Sequence, residues 1–251
     1  MAASMEDWMQ PEKSIEILHQ DDAILAVNKP AGLPVIPDGF DAKKPNLQSL
    51  LSQTFGRLWV VHRLDLDTSG VLLFARSAEV HRHLNFQFEH HVIQKIYHLL
   101  AWGTLDWETR VVSLPLRVNG DRGHRTVIDM QHGKPARTAF TVLERFPGDL
   151  TLLSATPISG YTHQIRAHCA ATGLWLVDDP LYFPRPFPLP VEFQPLHRSD
   201  LLPHAQFLPI SRTALHAHEI TFQNPISNQP VTLQAPYSID FAETLNVLRF
   251  H

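Results

Sequence analysis

One cysteine, Cys169, stands in a chain of 251 residues, so neither a disulfide framework nor a multi-cysteine zinc site can be built from it. Long apolar runs are absent too: no stretch approaches the roughly 18 consecutive apolar residues that a membrane span requires. The first residues, with Glu6 and Asp7 and no apolar block, do not have the form of a signal peptide. There is no phosphate-cradling P-loop and no glycine-rich dinucleotide fingerprint. The net charge is −4 and the pI about 6.4, which runs against a surface devoted entirely to phosphate backbones. These absences point to a cytoplasmic protein with no membrane partner, whose chemistry rests on its own side chains.

What is present suffices for a core: 44% of residues are hydrophobic and the mean hydropathy is −0.12. Ile15, Ile17, Ile24 and Ala26 alternate around Asp21-Asp22 and read as a hairpin. It runs into the Pro- and Gly-forced loop Lys29-Pro30-Ala31-Gly32-Leu33-Pro34. Leu47, Leu51 and Phe55 share one face of a short helix, and Val71–Ala75 is an unbroken apolar run best satisfied as a buried strand. Ser77 is placed to cap a helix carrying Val80, Leu84 and Phe88. Further strands are expected at 96–101, 138–142, 150–154 and 218–222. A helix is expected to start at Thr162 and stop at Gly173, with Ile165 and Cys169 on its apolar face and Arg166 beside them. Ser238 should cap a terminal helix with Phe241, Leu245 and Leu248 in register. Residues 180–209 hold eight of the twenty prolines and read as a surface excursion, since strand-like sequence resumes after them. Strands outnumber helices without alternating with them, so the class is α+β with a mixed, mostly antiparallel sheet. Residues 1–13 read as an N-terminal tail and 14–251 as one domain.

Charge is unevenly spread. Residues 1–60 carry five Lys/Arg against eight Asp/Glu, whereas 110–145 carry seven basic residues against three acidic ones. The second stretch, with Arg122, Arg125 and Lys134, is a basic patch of the size one RNA footprint needs, and it is equally compatible with an ordinary solvated face. Between the patch of polar residues at His62-Arg63-Leu64-Asp65-Leu66-Asp67-Thr68-Ser69-Gly70 and the strand that follows lies a plausible active-site edge. By residue type alone, Asp65 there is a general base, a nucleophile or half of a structural ion pair.

The stretch His62–Gly70 resembles the catalytic motif HRLDxxTSG of the RluA family of pseudouridine synthases, matching every fixed position. Five more stretches match in the family's order. Asn28–Leu33 resembles its KPxGL loop, Gln87-Phe88 with Lys95-Ile96-Tyr97 its QF…KxY segment, and Gly160–His168 its GRTHQIRxH helix. Asp179-Pro180-Leu181-Tyr182 and Leu215-His216-Ala217 resemble the last two signatures. The resemblance covers roughly residues 14–237 and implies an isomerase acting on RNA. The C1′–N1 bond of a uridine is cleaved, the uracil turns, and it is rejoined through C5, with no metal and no cofactor. It implies that Asp65 is indispensable, either attacking the sugar or removing a proton from C2′, and that Arg166 is the basic residue paired with it. Tyr97 corresponds to the tyrosine that stacks on the base and is a candidate for the late proton transfer. Arg63 would help fill the space left by the flipped base, and Ile165 would pack on the uracil. His62, Thr68, His163, Arg122, Arg125 and Lys134 complete the expected RNA contacts, and Gly120–Thr126 is a candidate loop ordered by RNA.

The chain departs from the family pattern in three places. Tyr161 stands where GRTHQ has Arg, Asp178 replaces the glycine before Asp179, and His91 stands where Arg often precedes KxY. Only a short tail precedes the resemblance, so the S4 RNA-binding domain of many members is expected to be absent and target choice to rest on the catalytic domain. Gly133-Lys134-Pro135-Ala136 with Thr138 leans toward members acting on both tRNA and large-subunit rRNA. The expected partner is therefore RNA (tRNA, large-subunit rRNA or both), with the protein a monomer needing no other protein. Two rival readings differ in class. A non-catalytic RNA-binding protein on the same scaffold would be expected to have lost Asp65, Tyr97 or Arg166, and all three are present. A histidine-metal hydrolase would need helical i, i+4 pairs, whereas His163 and His168 are five apart.

Overall fold

The computed structural model describes residues 15–37, 44–103, 105–182 and 208–250. The expected tail at 1–13 and nearly all of the Pro-rich excursion at 180–209 lie outside the described residues. The first part of the chain forms β1 (Glu16–Gln20), β2 (Ile24–Lys29), α1 (Leu47–Phe55), β3 (Trp59–Val60), β4 (Ser69–Ala75) and α2 (Ala78–Glu89). The middle forms β5 (Gln94–Trp102), β6 (Thr109–Val112), β7 (Leu116–Arg117), β8 (Val127–Ile128), β9 (Thr138–Phe146) and β10 (Leu150–Pro157). Then come α3 (Gln164–Ala171), β11 (Trp175–Leu176), β12 (Leu215–Gln223), β13 (Pro230–Gln234) and α4 (Ile239–Phe250). The pairings β1–β2, β2–β4, β3–β4, β5–β10, β9–β10, β6–β9 and β12–β13 are all antiparallel. The class is α+β, as the strand-rich pattern implies. Among the described residues no helix is long and apolar enough to cross a membrane.

Two compact units divide the chain: Met1–Lys95 with Ala217–Tyr237, and Ile96–His216 with Ser238–His251. In the first, Asp21 turns the β1–β2 hairpin by accepting the N–H groups of Ala23 (2.8 Å) and Ile24 (2.7 Å) on its carboxylate. β2 then enters the interior. Ile24, Leu25, Ala26 and Val27 are all fully buried, so the strand is covered on both faces where alternation suggested one. All seven residues of β4 are buried beside it. The side chain of Ser77 caps α2 by accepting the N–H of Val80 at 3.2 Å. On the same helix Gln87, at 3% exposure, is held by both polar atoms to the backbone of Gln223 on β12.

The second unit packs α3 against the sheet of β5, β10, β9 and β6. Leu99, Val112, Phe140, Leu153, Ile165 and Leu174 meet in one apolar cluster. The helix begins at Gln164, two residues later than Thr162, because His163 adopts a left-handed backbone with φ +55° that no helical turn accommodates. It ends as expected: Gly173 takes φ +75°, and the N–H of Leu174 returns to the carbonyl of Cys169 at 3.0 Å.

Candidate active site

The loop 61–68 joins β3 to β4, and its shape is set by groups distant in sequence. Lys29, the last residue of β2, is fully buried, and its ammonium donates to the carbonyls of Pro30 (2.8 Å), Leu33 (2.9 Å) and Leu66 (3.0 Å). The N–H of Gly32 reaches the same Leu66 carbonyl at 2.9 Å. A buried charge needs such partners, and one of the three is the carbonyl of the residue after Asp65. The N–H of Thr68 donates to the carbonyl of Asp65 at 3.1 Å and closes a tight turn, leaving Asp65 partly exposed. Lys29 is therefore a positioning residue for the loop. Its presence in a Lys-Pro motif was legible in the sequence, but its contact with Leu66 was not.

The other loop residues divide between surface and scaffold. Arg63 is exposed, as a side chain that enters RNA must be. Thr68, expected at the RNA, is instead 2% exposed, because the turn closed on Asp65 folds it inward. His62, also expected there, extends the β-ladder: β3 stops at Val60, opposite Phe74, and His62 Nε2 accepts the N–H of Leu73 at 3.0 Å. Its ring lies 4.8 Å from that of Phe88. Burial, reinforced by the charge of Lys95, lowers the His62 pKa to about 3, and burial lowers that of Lys95 to about 8. His62 is thus neutral, as its acceptor role requires. Gly70, the second residue of β4, takes φ +115°, and a Cβ there would stand 2.2 Å from the carbonyl oxygen of Ala217. Only glycine fits.

In the second unit Tyr97 lies on β5 opposite Ala155 of β10 and packs against the apolar cluster that contains Ile165. Ile165 itself is 6% exposed and belongs to that cluster. Arg166, 6% exposed, is held in a fork by Asp179: Nε donates to Oδ2 at 2.7 Å and Nη2 to Oδ1 at 2.6 Å. Its guanidinium lies 5.1 Å over the ring of Tyr182. Asp179 Oδ1 also accepts the N–H groups of Leu181 and Tyr182. This explains the Asp-Pro-Leu-Tyr signature: it is the cradle of Arg166. Asp178, at the position of the missing glycine, takes φ +51°, a left-handed conformation that aspartate tolerates better than most residues. Burial raises its pKa.

Gly120–Thr126, expected as a loop ordered by RNA, is ordered by its own bonds. Asp121 accepts the N–H groups of Gly123 (2.9 Å) and Arg125 (3.0 Å) and pairs with Arg125 Nε at 2.6 Å. The N–H of Thr126 donates to the Tyr182 hydroxyl, which donates in turn to the Thr126 carbonyl. Arg125 is therefore engaged within the loop. Burial is the largest single effect on Asp121 and pushes its carboxyl up, but the hydrogen bonds from Arg125 and Gly123 and the charge of Arg125 together outweigh it and hold the group below the usual carboxylate range. Arg117 is likewise paired, with Asp129 at 2.6 Å. Arg122 and Lys134 are exposed. His163 sets its ring edge-on to Tyr182 at 5.8 Å.

Residues 23–171 match the family described as RNA pseudouridylate synthase. The dual-specificity RNA pseudouridine synthase RluA of Pasteurella multocida is 33% identical over 222 residues, covering 88% of this chain and 93% of that protein. The ribosomal large subunit pseudouridine synthase C of Vibrio cholerae is 36% identical over 236 residues, covering 93% of this chain and 69% of that protein. Among solved structures, human RNA pseudouridylate synthase domain containing 4 superposes with a TM-score of 0.71 over 93% of both chains at 23% identity, which speaks to the fold. A turn clamped around Asp65, a forked Arg166 and a family match over most of the chain lead to one assignment: the chain belongs to the RNA pseudouridylate synthase family.

Proposed function

We propose that this enzyme converts specific uridines of tRNA, large-subunit rRNA or both to pseudouridine, acting in the cytoplasm as a monomer. The observation that carries the reading is the Asp65 turn, whose next carbonyl is gripped by the buried Lys29 and by Gly32. A turn held this way fixes the backbone that carries Asp65 before substrate arrives, which limits the reorganisation needed during reaction.

A target uridine leaves the RNA stack, at a cost of a few kcal/mol, and Arg63 takes up part of the vacated space. Tyr97 stacks on the uracil above the floor that Ile165 helps to form. Asp65 acts on the sugar, as nucleophile at C1′ or as base at C2′, and the C1′–N1 bond breaks. The uracil turns, C5 bonds to C1′, the proton on C5 is lost with Tyr97 as its candidate carrier, and N1 gains a proton. The product is an isomer, so no other reactant is consumed. Arg166 is the basic residue of the site, steadied by Asp179.

Pseudouridine mapping of total tRNA and rRNA tests this, in cells with the wild-type protein, with Asp65→Ala and with the gene deleted. Sites lost alike in the last two strains name the substrate. Retention of every site in the Asp65→Ala strain would overturn the catalytic assignment. Replacing hydrogen with deuterium at C2′ separates the two roles of Asp65, since only proton removal gives a primary isotope effect.

A further inference from the structure

The Gly-Tyr-Thr-His-Gln-Ile-Arg-Ala-His segment contains two buried polar residues that the reaction does not use, Gln164 and His168, at 3% and 0% exposure. They are joined through Thr138, also fully buried, into a chain of hydrogen bonds whose direction can be assigned throughout. Ser159 Oγ donates to Gln164 Oε1 at 2.8 Å. The N–H of Tyr161 donates to the same oxygen at 3.3 Å. Gln164 Nε2 donates to the Arg137 carbonyl and to Thr138 Oγ1, both at 3.1 Å. At the far end His168 Nε2 lies 2.9 Å from the Leu114 carbonyl, which can only accept, so Nε2 carries the proton. In the neutral ring Nδ1 is then an acceptor, and the Thr138 hydroxyl, 2.9 Å away, donates to it.

We infer that Gln164, Thr138 and His168 form a positioning relay that fixes the rotation of α3 about its axis and thereby the placement of Arg166. Gln164 and His168 are four apart and share one face of the helix. Arg166 lies midway in sequence, about 200° around the axis at roughly 100° per residue, on the side that meets Asp179 and Tyr182. Anchoring one face to β9 and to the Leu114 carbonyl therefore sets where the other face presents its guanidinium. The Thr138 hydroxyl joins the two side chains, accepting from one and donating to the other. Buried polar groups satisfied in this closed way specify a single arrangement. The inference rests on the assignment of Arg166 to the reaction.

The test compares the full-length wild type with Thr138→Val, which keeps the β-branched shape and removes the hydroxyl, and with Thr138→Ser, which restores it. One readout is the solvent-exchange rate of the Arg166 Nε–H by NMR, with the Arg212 Nε–H, bound to Asp240 at 2.6 Å in the same unit, as the control. The other is the split between kcat and KM for pseudouridine formation. Thr138→Val is expected to speed exchange at Arg166 about tenfold while Arg212 is unchanged. It should also lower kcat about tenfold with KM within about twofold, because displacement of a catalytic group acts on the transition state. Thr138→Ser should restore both. Unaltered exchange at Arg166, equal acceleration at Arg212, or failure of the serine to restore the rate would each overturn the relay. Should Thr138→Val not fold, Ser159→Ala, which removes one donor to Gln164, carries the same comparison with a smaller effect. A wild type that makes no pseudouridine would refute the functional reading, while the exchange rates would still decide the relay.

Discussion

At Asp65 a single charge separates chemistry from scaffold. Asp65→Asn keeps the size and much of the hydrogen bonding of the side chain but removes its ability to attack or to take a proton. The rate of pseudouridine formation is expected to fall at least about a hundredfold. RNA affinity, measured by filter binding, should change little, because Asp65 is one group among many at the interface. Lys29 gives a different result. Lys29→Met fills similar volume but leaves three carbonyls without their donor, at a cost of roughly 3 kcal/mol or more, readable as a lowered urea midpoint. Activity should fall along with stability even though Asp65 is untouched, because the Leu66 carbonyl loses one of its two holds. That Asp65 matters was legible in nine consecutive residues. That Lys29 holds the adjacent carbonyl was not, because the two are 37 positions apart.

At the scale of elements, short strands and helix termini carry the site. Near the start of β4, at Gly70, the backbone of Ala217 passes so close that any side chain meets it. Gly70→Ala combines that collision with an unfavourable φ and is expected to destabilise by about 3 kcal/mol or more, measured by thermal unfolding. The Ser77 cap and the Gly173 stop of α3 were readable because they are local: one hydroxyl meets an N–H three residues on, and one glycine takes a left-handed turn. The start of α3 was misplaced because histidine gives no sequence signal for the left-handed conformation that His163 adopts.

At the scale of the whole molecule, charge and pH decide the outcome. The basic stretch 110–145 suggested seven cations for RNA, but Arg117 and Arg125 are paired with Asp129 and Asp121 and Arg145 with Glu108. Removing Arg122 or Lys134 by alanine substitution should therefore lower the slope of log affinity against log salt by about 0.7 to 0.9 each. Arg125→Ala should change the slope less and loosen the loop instead, seen as faster amide exchange at Gly123 and Thr126. Acid acts through His62. The unfolded chain takes up a proton near pH 6.5, whereas the folded protein resists until about pH 3, so the unfolded state holds more protons between these values. Stability from this residue is complete above pH 6.5 and is lost as pH falls toward 3, which denaturant titration across that range will show. His62→Gln, which has no ionisable ring, should flatten that part of the curve.

The sequence by itself determined the order of the longer elements, the strand-rich class and the motif that carries Asp65, because local periodicity, turn residues and a contiguous motif reside in neighbouring positions. Only the tertiary structure decided which polar groups meet. Gln87 finds the backbone of Gln223 across 136 positions, Arg166 finds Asp179 across 13, and Gln164 finds Thr138 across 26. It also decided that β2 is covered on both faces and that His62 braces a ladder. The physical reason is that a buried polar group must be paired, yet its partner is chosen by how distant segments pack, and nothing in the residues flanking either one records that choice.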